Sequence, residues 1–209
     1  FKDLREVCAV LGARSPGSKR KIMVGVLADS KTINGELGSR PNRYPTPGQM
    51  GDIFVEYSKA LNLVHLCTKD TGDPFEDMVR AFTLAGPFCD GLQLNVPWPD
   101  SKALGHFKIK EPQATIVLQT GARAFEMIDH SPQKLADKID KELKHFVDFI
   151  LLDLIGGTGD FLDLNMARDC LCALEKKKMS IGLGVKGRLC HATIRHLAVL
   201  FKEFPDLSV

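Results

Sequence analysis

The chain has 209 residues, 44% of them hydrophobic and 26% charged, an ordinary globular composition that excludes a disordered tail, a collagen-like rod and a small disulfide scaffold. Lys and Arg number 28 and Asp and Glu 26, a balance too even to mark a nucleic-acid binder. No apolar run approaches the roughly 18 residues of a membrane span, and no signal peptide is visible.

The chain opens with Phe1 rather than Met, so an initial segment is expected to precede it. Apolar residues at Phe1, Leu4, Val7, Cys8 and Leu11 predict a helix, and 12–20 reads as a basic linker, so 1–20 is set apart from a single domain over 21–209. Apolar runs and amphipathic stretches then alternate. Strands are predicted at 21–29, 63–68, 91–96, 114–119, 147–154 and 180–185. Helices are predicted at 49–61, 74–85, 101–107, 132–144, 164–178 and 191–204, the third being the weakest. The strands are nearly continuous in apolar character, the pattern of parallel strands buried on both faces. Met166, Ala167, Cys170, Leu171 and Leu174 recur at helical spacing. Ser131 followed by Pro132 is a helix start, and Asp163 is a candidate cap for the fifth helix.

Six strand–helix repeats fit an open doubly wound sheet or a (β/α)8 barrel. After Asp29 there is no G-x-G-x-x-G but a polar loop, which favours the barrel, whose sites are built from loops at strand C-termini. The segment from Pro205 to Val209 reads as entry into only a seventh strand. The expected fold class is therefore α/β, a (β/α)8 TIM barrel incomplete after its sixth βα unit in this sequence.

The six cysteines (Cys8, Cys67, Cys89, Cys170, Cys172 and Cys190) are irregularly spaced in apolar surroundings without a C-x-x-C pair. Reduced, buried thiols in a cytoplasmic protein are expected, rather than zinc or disulfides. Polar residues closing the strands are the candidates for chemistry: Asp29, Thr68 to Asp70, Asn95, Gln119, Asp153, and Lys186 to Arg188. Strands one and five stand opposite each other in such a barrel, so Asp29 and Asp153 form a candidate pair of carboxylates for acid–base work. Beyond Asp153, Gly156, Gly157, Thr158 and Gly159 permit backbone N–H groups to turn toward an anion. Arg40 and Arg43 sit in a loop that suits either a mobile lid over an anionic substrate or a disordered basic loop. Trp98 suits a pocket wall or a plug, and His65 suits a core position. His191 and His196 share no helix face, so no metal is expected. Lys176, Lys177 and Lys178 end a helix, where cations meet the negative dipole end.

Phe149-Ile150-Leu151-Leu152-Asp153, then Gly156-Gly157-Thr158-Gly159 and Phe161-Leu162-Asp163-Leu164, resemble the strand-five segment "LLD…GGTG…FDW" of phosphoribosylanthranilate isomerases. Leu92-Gln93-Leu94-Asn95 is similar to that family's "VQLH", and Ile181-Gly182-Leu183-Gly184 with Gly187 to its "LAGGL", here with Val185 and Lys186 between the last two glycines. The resemblance implies a phosphate-binding TIM barrel and an Amadori rearrangement of a phosphorylated ribosyl amine, with Asp153 as the acid. The family's base is a strand-one cysteine in "KICG"; Lys21-Ile22-Met23-Val24-Gly25 has none, and Asp29 is the candidate substitute. Gly184, Lys186, Gly187 and Arg188 are candidates for an oxyanion, with Asn95, Gln119 and the 156–159 loop completing the substrate site. The expected function is isomerisation, or a related lyase step, on a phosphorylated sugar derivative. The alternative is a barrel that binds a phosphorylated metabolite or a protein without catalysis. No cofactor, metal, nucleic acid or membrane is expected, and a homodimer is left open.

Overall fold

The computed structural model describes residues 20–36, 44–68, 74–154, 162–187 and 193–209. The expectations for the first helix and linker, Cys8, Arg40, Arg43, Lys69, Asp70, Gly156 to Gly159, Arg188, Cys190 and His191 lie outside the described residues. Strands and helices alternate in an α/β arrangement that divides into two compact units, 1–94 with 103–115 and 95–102 with 116–209.

The first unit holds β1 (Ile22–Asp29), α1 (Ser30–Ile33), α2 (Pro47–Ile53), β2 (Ala60–Cys67), α3 (Phe75–Leu84), β3 (Gly91–Leu94) and most of α4 (Ser101–Lys110). β1 runs parallel to β2 from the pair Ile22–Ala60 to Asp29–Cys67, and β2 runs parallel to β3 from Leu63–Gly91 to Leu66–Leu94. The helix expected at 49–61 is corrected by this pairing. Pro47 starts it, Thr46 and Gln49 form its capping box, and it ends at Ile53. Ala60 and Leu61 belong to β2, because their backbones are taken up by Ile22 and Met23 of β1. Burial on both faces holds for all four residues of β3 but not for β1. There Val24, Val26 and Ala28 are buried while Met23 is 44% exposed and Leu27 and Asp29 are half-buried, so the two faces of β1 are covered unequally. The weakly predicted third helix is a full ten residues. Ala103, Leu104 and Phe107, spaced at i, i+1 and i+4, are buried on it.

The second unit holds β4 (Thr115–Thr120) beyond its first residue, α5 (Ala122–Glu126), and α6 (Pro132–Lys138), which continues as a π-helical turn (Ile139–Leu143). There follow β5 (Phe149–Asp153), α7 (Leu164–Lys176), β6 (Gly182–Lys186), a 3-10 turn (Ile194–Leu197) and α8 (Ala198–Glu203). β5 lies between β4 and β6, parallel to both. The expected caps are in place: Ser131 Oγ accepts from Lys134 N, with Pro132 at the first helical position, and Asp163 Oδ1 accepts from Met166 N at 3.0 Å. Ala167, Cys170, Leu171 and Leu174 are the buried stripe of α7. Beyond α8, Ser208 bridges Gly184 in parallel, with Val185 N donating to Ser208 O and Ser208 N to Leu183 O, as a strand beginning beside β6 would.

Burial makes two of the thiols inert. It pushes the Cys89 thiol up to about 11 and Cys170 up to about 12, so almost no thiolate, the reactive species, exists at neutral pH. Peptide-mapped alkylation at pH 8 should leave Cys89 and Cys170 unmodified in the native protein and modify both in urea. Labelling of either at the native-state rate of half-buried Cys67 or Cys172 would contradict the packing described.

Candidate functional site

The register of β4, β5 and β6 builds the site. Side chains alternate across a strand, so Val117 and Gln119, Phe149, Leu151 and Asp153, and Gly182, Gly184 and Lys186 share one face. They form rows: Val117, Phe149 and Gly182; then Gln119, Leu151 and Gly184; then Asp153 beside Lys186 at the C-terminal ends. The β6 glycines make room for the large residues next to them. A Cβ at residue 182 would run into the Phe149 ring, and one at 184 would stand 3.2 Å from Leu151 Cδ1 and 3.3 Å from Ser208 O. A Cβ at Gly187 would meet Leu162 Cβ at 3.3 Å. Close packing accounts for glycine at 184 and 187, two positions named above for an oxyanion.

The top of this face is a connected polar group. Gln119 Nε2 donates to Asp153 Oδ2 at 2.7 Å, Lys186 Nζ donates to Gln119 Oε1 at 3.2 Å, and Lys186 Nζ stands 3.5 Å from Asp153 Oδ2. Gln119 is buried, so its amide needs partners on both ends, and the two charged heads supply them. The Asp153 side chain is 15% exposed and that of Lys186 39%. The amine is thus the more accessible member, with the carboxylate behind it. Such a pair adds little to stability. Its chemical capacity is proton movement, since a carboxylate and an amine within 3.5 Å can exchange a proton with each other and with a bound molecule.

Three of the residues singled out from sequence (Asp153, Gln119 and Lys186) are therefore brought together. The sequence reading named Gln119 and Lys186 only as substrate contacts and missed that Gln119 ties the other two. The signal was available in the even spacing of Leu151 and Asp153 and of Gly184 and Lys186, but only register shows that these pairs adjoin. Asn95 follows β3 and is half-buried.

Asp29 closes β1 in the first unit, where its Oδ1 accepts from Thr32 N at 2.7 Å and Thr32 Oγ1 at 2.8 Å, capping α1. Met23, matched above to the family's cysteine, is the second residue of β1. It lies six residues, or roughly 20 Å along a strand, before the C-terminal end where barrel chemistry is done. Asp29 is the β1 residue at the C-terminal end. His65 is half-buried on β2, in register with Leu27 and Gln93.

Other candidates have structural work. Trp98 Nε1 donates to Ala124 O at 3.0 Å, Lys138 Nζ lies 5.4 Å from the centre of its ring, and both line a cavity of about 430 Å³. A second cavity of about 420 Å³ lies among Met179, Gly182, Phe204 and Leu207; neither includes Asp153, Gln119 or Lys186. Lys177 reaches Asp137 at 2.5 Å and Asp140 at 3.9 Å, tying the end of α7 to α6 and the turn beyond it. Among the described residues no three His, Cys, Asp or Glu side chains gather as a metal site, and no helix is long and apolar enough to cross a membrane.

No protein-family model matches the chain, and no curated protein sequence does. Among solved structures, the chain is similar to phosphoribosyl anthranilate isomerase from Thermus thermophilus, with a TM-score of 0.59 and 15% sequence identity over 96% of this chain and 80% of that one. The fold is thus phosphoribosylanthranilate isomerase-like: α/β, of the TIM-barrel kind, with six strand–helix repeats present.

Proposed function

We propose that this chain is an isomerase-type enzyme acting on a phosphorylated sugar derivative, with Asp153 as its proton donor. The observation that carries the reading is the carboxylate of Asp153 at the C-terminal end of β5, held by Gln119 at 2.7 Å and by Lys186 at 3.5 Å. In a TIM-barrel fold this is the end where catalytic residues stand, and the sequence around Asp153 resembles that of the isomerases where their acid lies. Asp153 relays a proton to the ring oxygen as the sugar opens, taking it from the ammonium of Lys186 through the same 3.5 Å contact. Gln119 holds both heads in place. In this reading Gly156 to Gly159, Arg188 and Asn95 are the substrate contacts.

The test is a calorimetric titration of the protein with a panel of phosphosugars, including a reduced phosphoribosyl-anthranilate product analogue, followed by turnover assays of each compound bound. Binding together with turnover is the expected result. Tight binding of every active analogue without turnover would replace catalysis by a sensing role, and absence of binding across the panel would remove the phosphosugar reading.

A further inference from the structure

Lys186 is the one lysine within the six strands, and its surroundings differ from those of the lysines on the helices. Lys134, Lys138, Lys144 and Lys177 pair with carboxylates along and between helix surfaces. Lys186 instead ends a strand, its Nζ fixed at 3.2 Å from a buried amide and at 3.5 Å from a carboxylate only 15% exposed. A cation whose charge is already met by a carboxylate is poorly suited to holding a phosphate, which binds where positive charge is uncompensated. A carboxylate 3.5 Å from an ammonium is placed to take its proton as the nitrogen attacks a carbonyl carbon and to return it to the carbonyl oxygen.

We infer that Lys186 is a nucleophile that forms an imine with the carbonyl carbon of an open-chain sugar, a step that rests on the sugar-substrate reading above. The ammonium of Lys186 passes a proton to the carboxylate of Asp153. The freed nitrogen lone pair forms the C–N bond as the carbonyl π pair moves onto oxygen, which takes the proton back from Asp153. A second proton travels from nitrogen to the hydroxyl by the same carboxylate, the C–O bond breaks, and water leaves as the C=N bond forms. One ammonium and one carbonyl become one protonated imine and one water, so no oxidant or reductant enters. Asp153 shuttles both protons, and Gln119 is a positioning residue that keeps amine and carboxylate together.

Borohydride reduces an imine to a stable secondary amine, so the full chain is treated with glycolaldehyde or with ribulose 5-phosphate under borohydride, and its lysines are mapped by mass spectrometry. Binding of ribulose 5-phosphate is measured in parallel by calorimetry. Lys186 should be labelled about tenfold or more faster than exposed Lys110 and Lys202. Asp153→Asn should slow that labelling about a hundredfold, the size of a lost proton shuttle. Lys186→Arg keeps a cation beside Asp153 and should abolish the adduct with no change in thermal midpoint. Selective labelling by glycolaldehyde without binding of the phosphosugar would sustain the nucleophile and count against the phosphosugar reading. Binding and turnover of the phosphosugar with Lys186 labelled no faster than the surface lysines would overturn the nucleophile and leave the isomerase reading standing. No selective labelling by either compound overturns it as well.

Discussion

Replacing Asp153 by Asn should lower turnover by about 10²–10⁴-fold, the loss expected when a positioned proton donor is removed, while leaving the fold intact. The variant separates proton transfer from structure because the new side chain has the same size and keeps an oxygen able to accept from Gln119 Nε2, which now lies 2.7 Å from Asp153 Oδ2. Charge is what changes. Lys186 loses its carboxylate at 3.5 Å but retains Gln119 Oε1 as an acceptor at 3.2 Å, so its ammonium is not stranded. Because the lysine head is 39% exposed, water meets the remaining demand and little stability is lost. Steady-state rates on a compound identified by titration, with a thermal melt of both proteins, check this. The expected outcome is a collapse in kcat at an unchanged melting midpoint. Activity within about threefold of wild type would remove Asp153 from the proton-donor role, and a lowered midpoint with normal specific activity would make it a structural residue.

The sequence and the structure agree where local pattern determines the outcome. Ser131-Pro132 and Asp163 are found as helix starts because capping is decided within one turn. The 166–174 stripe buries as its spacing requires. Asp153, Gln119 and Lys186 were visible as strand-closing polar residues. Their mutual contact was not, because it depends on Val117 pairing with Phe149 and Phe149 with Gly182; a one-residue slip of β6 would turn Lys186 to the other face. The glycines were the least legible. Gly184 and Gly187 suggest an oxyanion site in one dimension, yet Gly184 lies against Leu151 of the neighbouring strand and Gly187 against Leu162. Strand ends were also hidden, since Ala60 and Leu61 are as compatible with a helix as with a strand until Ile22 and Met23 pair with them.

A larger effect on stability is expected at Gly91, the first residue of β3, which has no part in the candidate site. A Cβ there would be driven into the carbonyl oxygen of Thr115 and would lie 2.6 Å from its nitrogen and 2.7 Å from its carbonyl carbon. All three are backbone atoms, so no rotamer change relieves the overlap. The backbone cannot simply move apart either. Thr115 N donates to Asp90 O at 2.8 Å, and Asp90 N donates to Asn62 O while its carboxylate accepts from Asn62 N at 2.7 Å. Shifting Gly91 therefore disturbs three hydrogen bonds that tie β2 and Thr115 to the start of β3. Ordinary overpacking costs about 1–3 kcal/mol, and a clash against fixed backbone exceeds it, so Gly91→Ala should cost about 4 kcal/mol. That is a large share of the roughly 5–15 kcal/mol available to a domain. Gly25→Ala is the control, because a Cβ on that β1 residue meets nothing within 4 Å and should change stability by less than about 0.5 kcal/mol. Urea unfolding of the two variants beside wild type measures both. A midpoint for Gly91→Ala as close to wild type as that of Gly25→Ala would mean that β3 and Thr115 are not pressed together. The burial of all four β3 residues would then need another cause.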